Sequence, residues 1–297
     1  MTITAATSAG RMPARSELQA APLLSDREFR TFSALVYDAC GIKLPPIKKT
    51  MLSSRLHKRL RALGMASFKE YLDLVTSREG RERELIQMLD VVSTNKTEFF
   101  REPDHFNLLT EQILPDLDGR LRKGGDRRRL HVWSAGCSSG EEPYTLGIVL
   151  AEYAAKHPGF DFSVLGTDIC TKVLTIAERA VYPDERLTDI PKFLLHKYFM
   201  RGRGSQQHFH RVVPELRQRI SFRRLNFKED DFSLDQLFDV IFCRNVIIYF
   251  DRPTQAALFD KFHRQLHPGG YLVIGHSETL EGIHDRMRRV APTVYKK

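Results

Sequence analysis

The chain has 297 residues, of which 42% are hydrophobic and 28% are charged, values typical of a soluble globular protein with a sizeable core. No apolar run is long enough to span a bilayer, and residues 1–25 lack the apolar segment of a secretory signal, so we expect a cytoplasmic protein without membrane insertion. The net charge of +9 favours an acidic partner.

The N-terminal third is predicted to be a tail followed by a helical domain. Residues 1–25 are rich in Ala, Ser, Thr and Pro, a composition that predicts a flexible tail. Over residues 26–92 the apolar residues recur at helical spacing, and Gly41 and Gly64 follow the first two apolar stripes as typical helix ends. We therefore expect a small all-helical N-terminal domain.

The second of these helices lies in an unusually basic segment. Between Asp38 and Glu70 the chain carries eight basic residues and no acid. Arg55, Lys58 and Arg59 are three and four residues apart, which places them on a shared helix face. An ordinary solvated face would also show such charges. We expect instead a surface that binds an acidic substrate.

From Leu130 onwards, short apolar strands alternate with helical segments, a pattern that predicts an α/β fold with a parallel sheet. A polar and aromatic linker, residues 93–105, precedes this region. Between residues 197 and 222 the pattern breaks, and we expect a small β-hairpin insertion there. The predicted strands cover residues 130–135, 162–167, 219–225, 238–243 and 270–275, with a last one near 288–295.

The most informative segment is the Gly/Ser-rich turn between the first strand and the next helix, Trp133-Ser-Ala-Gly-Cys-Ser-Ser-Gly-Glu-Glu-Pro-Tyr144. The following strand ends on Asp168. In a doubly wound sheet, such a turn lies under a nucleoside-like ligand, and an acid at the end of the next strand binds ribose hydroxyls. We expect Gly136 and Gly140 to let the backbone approach the ligand.

The start of this helix indicates what kind of ligand the turn accepts. Glu141 and Glu142 suit the helix dipole but repel phosphate. A cationic ligand without phosphate, such as S-adenosylmethionine, fits better than a dinucleotide. The alternative is an ordinary β-α turn in which Asp168 merely caps a helix.

The four cysteines give no indication of a metal site. They form no CxxC pair, and no Cys/His cluster has the spacing of zinc ligands. Reduced, buried thiols and the absence of a bound metal are the expectation.

Four segments of the chain are informative together: Thr94-Asn-Lys-Thr-Glu-Phe-Phe-Arg101, Trp133 to Tyr144 as quoted above, Phe242-Cys-Arg-Asn-Val-Ile-Ile-Tyr-Phe-Asp251 and Gly275-His-Ser-Glu278. They resemble the CheR family of chemotaxis receptor glutamate methyltransferases, and the resemblance covers residues 26–297. It implies a helical domain at 26–92, a linker at 93–105 that contributes to the cofactor site, and a class I, Rossmann-like methyltransferase domain at 106–297. That domain would carry a small antiparallel β-subdomain at about 197–222.

The resemblance also implies roles for individual residues. Arg101 and Tyr249 are expected to act in catalysis, with Tyr249 close to the reacting carboxylate. Residues expected to bind S-adenosylmethionine, or to order its site, are Asn95, Thr97, Arg101, Glu142, Asp168, Asn226, Phe227, Arg244 and Asn245.

The implied substrates are glutamates in the cytoplasmic signalling domain of transmembrane chemoreceptors. Their methylation would give glutamyl methyl esters and S-adenosylhomocysteine. Some family members also bind a receptor C-terminal peptide at the β-subdomain, and the sequence leaves this open here.

Two alternatives belong to other classes of protein. A nucleic-acid methyltransferase would suit the positive charge. However, the D/N-P-P-Y/F motif of the amino-methylating DNA enzymes is missing where the chain reads Arg244-Asn-Val-Ile247, so we expect no nucleic-acid partner. A non-catalytic adaptor of the same fold is the other alternative, against which the acidic residues and Tyr249 argue.

Overall fold

A computed structural model describes residues 22–123 and 129–297. Of the predicted tail, residues 1–21 lie outside the described residues. The end of that segment is ordered, because Leu24 is buried against the helical core. Ser25 and Glu28 form a capping box in which each side chain accepts the other's backbone N–H. The tail prediction is therefore wrong for Leu24 and Ser25.

Four amphipathic helices form the N-terminal helical domain: α1 (Asp26–Cys40), α2 (Lys49–Leu63), α3 (Phe68–Thr76) and α4 (Arg78–Val92). Gly41 and Gly64 adopt the left-handed backbone that commonly ends a helix. The buried faces of the helices meet in an apolar core of their own, which includes Phe32, Leu56, Tyr71 and Met88.

The rest of the chain builds a sheet domain. Its helices are α5 (Asp104–Leu108), α6 (Leu114–Lys123), α7 (Glu141–Lys156), α8 (Thr171–Arg179), α9 (Lys192–Tyr198), α10 (Pro214–Arg217) and α11 (Arg252–Gln265). Its strands are β1 (Arg129–Ala135), β2 (Asp161–Asp168), β3 (Val181–Pro183), β4 (Phe199–Arg201), β5 (Phe209–Val212), β6 (Ile220–Arg224), β7 (Phe238–Cys243), β8 (Leu266–Ile274), β9 (Arg288–Ala291) and β10 (Val294–Lys296).

The main sheet has seven strands in the order β6-β2-β1-β7-β8-β10-β9. The first five strands in this order, β6, β2, β1, β7 and β8, run parallel to one another. Strand β10 is antiparallel to both of its neighbours, β8 and β9. The chain leaves β1 in one direction towards β2 and returns to its other side at β7. Such a reversal opens a crevice at the carboxyl ends of the strands, and this crevice is where the site lies.

The C-terminal part of the sheet differs from the prediction. The strand expected near 288–295 is a hairpin of β9 and β10, because Thr293 adopts a left-handed backbone and turns the chain. Strand β8 begins at Leu266, before the start of the strand predicted at 270–275, and includes a Pro-Gly-Gly segment. The pairing of β8 with β7 contains a register shift at this segment, opposite Phe238–Val240 of β7.

The predicted hairpin belongs to a three-stranded antiparallel sheet in the order β3-β5-β4. Strands β4 and β5 lie within residues 197–222, but β3 begins this small sheet at Val181. Strand β3 was not predicted, because three residues are too few to show an alternating pattern. Residues 220–224 form β6 and pair with β2, so they belong to the main sheet.

Two further apolar cores pack against the sheet. One includes Tyr144 and Ile148 of α7, and the other includes Phe259 and Phe262 of α11. Together they fix the strand ends that carry the site. Within the described ranges, no helix is both long and apolar enough to cross a membrane.

Candidate cofactor and substrate cleft

A cleft of about 1250 Å³, part of it open to solvent, lies where the helical domain meets the carboxyl ends of the main-sheet strands. The segment after α1, the linker and the loops after β1, β2, β6 and β7 all line it. Every residue predicted to bind the cofactor or to act in catalysis is among the lining residues: Asn95, Thr97, Arg101, Glu142, Asp168, Asn226, Phe227, Arg244, Asn245 and Tyr249.

Asp168 closes one end of the cleft and holds two loops together. Its Oδ2 accepts the Ser138 N–H at 2.8 Å and its Oδ1 accepts the Cys170 N–H at 2.9 Å. The carboxylate is 8% exposed, and burial raises its pKa although these backbone donors oppose the rise. Each carboxylate oxygen has a second lone pair, so the group can still accept from ligand hydroxyls.

The glycines of the first loop serve the protein's own packing. Gly136 and Gly140 have φ of +87° and +98°, a region that favours glycine. A Cβ on Gly136 would lie 2.5 Å from a methyl of Val246, and one on Gly140 would lie 2.8 Å from Ala177. The expectation that both glycines serve ligand approach is therefore incomplete, since close approach of neighbouring loops already requires them.

A buried ion network stands at the centre of the cleft floor. Arg244 lies 3.1 Å from Glu102 Oε2 through Nη2 and 3.1 Å from Glu142 Oε2 through Nη1, and its side chain is 2% exposed. Its Nη2 also donates to the Arg101 carbonyl. The Ser134 hydroxyl donates to the other oxygen of Glu142 at 2.7 Å. Arg244, which follows β7 directly, is thus bonded to both the linker and the first turn of α7.

Glu102 of this network is ionised beside Arg244. Burial opposes ionisation of Glu102, but His105 and Arg244 outweigh it and hold the pKa of Glu102 well below its ordinary range. By formal charge, the side chains of Glu102, Glu142 and Arg244 sum to one negative charge. That charge suits a cationic group of a ligand in the cleft.

Asn245 stands beside this network in a left-handed backbone conformation with φ of +58°. Glu278 fixes that turn, because its Oε2 accepts the N–H groups of Asn245 at 3.0 Å and Gly275 at 2.7 Å. The Asn245 side-chain amide donates to Glu102 at 3.3 Å. Glu278 lies in the Gly275–Glu278 segment that carries the resemblance, but this role was not predicted from the sequence.

Asn226 and Phe227 form the wall next to the helical domain. The Asn226 amide donates to the Ala39 carbonyl at 2.7 Å, so it joins the two domains at the cleft. The ring of Phe227 packs edge-on against Phe250 and Phe262. A flat apolar wall beside a polar amide suits an adenine ring, in keeping with the cofactor-binding role that the resemblance implies for both residues.

The linker crosses the cleft on its open side. The Ser138 hydroxyl donates to the Asn95 carbonyl at 3.0 Å, and Arg101 donates to the Lys96 carbonyl at 3.1 Å. The Arg101 side chain is half-buried at the cleft wall. Tyr249 is half-buried in the short helical turn Ile247–Tyr249, and its hydroxyl has no hydrogen-bond partner among the described residues. That hydroxyl is available to a substrate.

Arg55 and Arg59, two of the three residues predicted to bind an acidic substrate, both have partners within the protein. Arg55 donates to the carbonyl groups of Val92 and Ser93, which anchors the start of the linker. Arg59 forms a bidentate pair with Glu84 at 2.8 Å, and its side chain is 16% exposed. Both side chains bend towards the protein, where each finds hydrogen-bond acceptors. Lys58 is exposed and stays a candidate.

The site includes three charged residues whose roles were not predicted from the sequence. Lys43 and Lys48 line the cleft from the segment after α1, although we grouped them only with the general basic segment. Glu102 was not singled out, although it follows Arg101 directly. Its position close to an aromatic pair could have indicated this role, because a charged residue near buried aromatic residues is itself partly buried and then requires a partner.

One cluster in the described part of the chain brings potential metal ligands together. Glu102, His105 and His276 place ligand atoms within 4.8 Å of one another. The Arg244 guanidinium already lies against Glu102, so a metal ion there would face a fixed positive charge. The expectation of no metal therefore stays a prediction. The four cysteines are buried free thiols, and burial raises the pKa of each.

Comparison with known proteins agrees with this geometry. Residues 95–296 match the family model described as the CheR methyltransferase SAM binding domain, and residues 27–93 match that of the CheR methyltransferase all-alpha domain. A chemotaxis protein methyltransferase of Borreliella burgdorferi is 39% identical over 89% of this chain and 91% of its own length. That of Escherichia coli K12 is 39% identical over 92% and 91%.

Chemotaxis protein methyltransferase 2 of Pseudomonas aeruginosa is 40% identical over 90% of this chain and 92% of its own length. Among solved structures, a SAM-bound amino pentose methyltransferase from Micromonospora echinaspora covers 61% of this chain and 58% of its own, with 16% identity and a TM-score of 0.29. The last match is too distant to carry an argument.

The fold and the matched cofactor domain define a class I methyltransferase that uses S-adenosylmethionine. Within that class, the chain belongs to the CheR methyltransferase family, whose two domains together match most of its length. It is thus a methyltransferase of chemotaxis.

Proposed function

We propose that this protein transfers the methyl group of S-adenosylmethionine to glutamate side chains in the cytoplasmic signalling domain of chemoreceptors. One observation carries the proposal. Lys43, Lys48, Arg101 and Tyr249 line the same cleft as the cofactor residues, so cations and a free hydroxyl meet where the acceptor must enter. Such groups suit a carboxylate acceptor.

The residues present fit the cofactor. The net negative charge of the Glu102–Arg244–Glu142 network suits its sulfonium and ammonium groups, and Asp168 offers acceptors for ribose hydroxyls. Asn226 and Phe227 provide the wall for adenine. When bound, S-adenosylmethionine supplies a methyl carbon that a carboxylate oxygen attacks as the carbon–sulfur bond breaks, giving a glutamyl methyl ester and S-adenosylhomocysteine.

The chain needs no general base for this reaction. A glutamate has a pKa of about 4.3 and is already an anion at neutral pH. Consistent with this, no histidine is among the described residues that line the cleft. Glu142 is paired with Arg244, and Asp168 accepts two backbone N–H groups. The work of the protein is to position the acceptor, which supplies up to about 7–11 kcal/mol in well-aligned reactions.

Tyr249 and Arg101 have separate parts in this positioning. The unpartnered Tyr249 hydroxyl donates to the acceptor carboxylate and sets its line of attack. Arg101 is held by the Lys96 carbonyl and orders the linker over the cofactor. A strong pair between Arg101 and the attacking oxygen would lower its nucleophilicity, so arginine orients the carboxylate more than it activates it.

The small sheet supplies a second receptor contact in this proposal. Strand β4 is an edge strand that pairs with β5 on one side. Exposed Met200 and Phe209 lie on this sheet. An extended receptor C-terminal peptide can add to such an edge through backbone hydrogen bonds. Removing the last residues of the receptor should then weaken methylation without changing the methylated glutamates.

Transfer of labelled methyl to membranes that contain chemoreceptors tests the proposal. Wild-type protein should label the receptors, and mild alkali should release the label because esters are alkali-labile. The matched control is Tyr249→Phe, which keeps the aromatic ring and should bind cofactor but transfer more slowly. Cofactor binding with no transfer to any receptor preparation would support the adaptor alternative instead.

A further inference from the structure

His105, on α5, is a buried histidine next to the ion network of the cleft floor. Its side chain is 3% exposed, and it is not one of the described residues that line the cleft. The ring of His276 packs edge-on against it, with 4.7 Å between the ring centroids. Because the imidazole does not face the cleft, it can act on the site only through the groups that it contacts.

Glu102 is the contact that leads from His105 to the site. Its backbone has φ of +55°, a conformation that residues other than glycine rarely adopt. The His105 N–H donates to the Glu102 carbonyl at 3.1 Å, and ring atom Nδ1 lies 3.3 Å from Glu102 Oε2. Nδ1 is buried and has no aligned hydrogen bond among the described residues, so Glu102 is its available partner. The same carboxylate oxygen lies 3.1 Å from Arg244 Nη2.

The other ring nitrogen of His105 contacts the C-terminal hairpin. Nε2 lies 2.8 Å from the hydroxyl oxygen of Thr293, the turn residue between β9 and β10. That hydroxyl also lies 2.7 Å from the Pro292 carbonyl. The ring is thus held at one nitrogen by the hairpin and presents the other to Glu102.

The ionised state of Glu102 determines which ring nitrogen carries a hydrogen. Burial opposes ionisation, but the partners of Glu102, His105 foremost, hold its pKa below the ordinary range. An ionised carboxylate only accepts hydrogen bonds, so a bare lone pair on Nδ1 would repel it. Nδ1 therefore carries a hydrogen, whether Thr293 donates to Nε2 of a neutral ring or accepts from Nε2 of a charged ring.

We infer that His105 is a positioning residue of the S-adenosylmethionine site, and that Thr293 holds its ring in place. Nδ1–H donates to Glu102, which in turn holds the cleft residues Arg244 and Asn245. The inference rests on the cofactor-binding roles proposed for those two residues. It goes beyond the proposed function because it concerns the cofactor and holds for any methyl acceptor.

Two substitutions separate the roles of the two ring nitrogens. The amide of His105→Asn reaches the position of Nδ1 but not that of Nε2, whereas the amide of His105→Gln reaches the position of Nε2. In calorimetry, His105→Asn should bind S-adenosylmethionine within about 3-fold of wild-type affinity, and His105→Gln should bind it roughly 5- to 30-fold more weakly. Both variants should have a lower Tm, and a histidine with only a structural role would not separate their cofactor affinities.

Two further substitutions keep folding apart from positioning. Thr293→Val removes the hydroxyl, so it should weaken cofactor binding roughly 2- to 5-fold in wild-type protein but not further in His105→Asn, which no longer reaches Thr293. The matched control is His284→Asn, at another buried histidine, which lies 3.4 Å from Asp260 and outside the lining of the cleft. It should lower Tm and leave cofactor affinity unchanged.

Equal cofactor affinities of His105→Asn and His105→Gln would overturn the inference, and so would wild-type affinity in Thr293→Val. The second result applies even if His105→Gln does not fold. Because the readout is cofactor binding, absence of glutamate methylation would count against the proposed acceptor and not against the role of His105.

Discussion

Replacing Glu102 by glutamine should remove the charge that holds Arg244 and Asn245 in place. The carboxylate lies 3.1 Å from Arg244 Nη2 and 3.3 Å from the Asn245 amide nitrogen. Glutamine keeps one acceptor oxygen but presents an NH₂ group to two donors. Cofactor affinity should fall, because Arg244 and Asn245 both line the cleft.

The effect on stability can be worked from these contacts. Removing one partner of a buried ion pair costs about 3–5 kcal/mol when the other charge is left alone. Arg244 keeps Glu142, so the loss should be nearer that of one charge-assisted hydrogen bond, about 1.5–3 kcal/mol. At about 2–4 °C for each kcal/mol, Tm should fall by roughly 3–12 °C.

The pH dependence has a definite sign. The pKa of Glu102 is lowered in the folded protein, so its contribution to the free energy of unfolding is fully present above the unfolded pKa of about 4.3. It is lost as pH falls below that value towards the folded pKa. In urea denaturation, the gap between wild-type and Glu102→Gln should be full at neutral pH and narrower at about pH 3.5.

The matched control is Glu281→Gln, which breaks an exposed pair with Arg289 of 2.7 Å. An exposed pair contributes about 0–1 kcal/mol, so this variant should melt within a few degrees of wild-type. If Glu102→Gln is as stable as Glu281→Gln at neutral pH and binds cofactor normally, the network does not order the site.

Three further variants test other parts of the site. Asp168→Asn should weaken cofactor binding, measured by calorimetry, by at least about 1.5–3 kcal/mol, because the asparagine NH₂ group would face the backbone N–H groups that now donate to the carboxylate. Unchanged affinity would exclude the ribose role. Tyr249→Phe should lower kcat/KM roughly 5- to 150-fold at constant cofactor affinity, and a lower Tm would indicate a structural hydroxyl instead. Lys58→Glu should raise receptor KM without a loss of Tm, whereas Arg59→Glu should lower Tm because it opposes Glu84. Equal Tm for these two variants would contradict the assignment of Lys58 to the exposed surface and of Arg59 to a stabilising ion pair.

The cofactor side of the cleft was predictable because it depends on chain order. Glu142 and Asp168 follow neighbouring parallel strands, and the carboxyl ends of such strands meet at one edge of the sheet. Local turn chemistry then fixes the loops, as the positive φ of Gly136 and Gly140 shows. Family resemblance supplied the roles of residues that lie outside this rule, such as Asn226 and Tyr249.

The basic surface was harder to predict because helical spacing shows which residues share a face but not what that face meets. Arg59 is paired by Glu84 of another helix, and Arg55 by carbonyl groups at the end of that helix. Such partners are distant in sequence. Strand β3 was missed for a different reason, since three residues carry too little pattern.

The central claim is that the accepting group is a glutamate carboxylate. Tandem mass spectrometry of receptors after reaction with wild-type protein and isotopically labelled S-adenosylmethionine tests it most directly. We expect the labelled methyl group on glutamate side chains of the cytoplasmic signalling domain, with loss of the label after mild alkali. Label found on lysine, arginine or another nitrogen, and stable to alkali, would contradict the account.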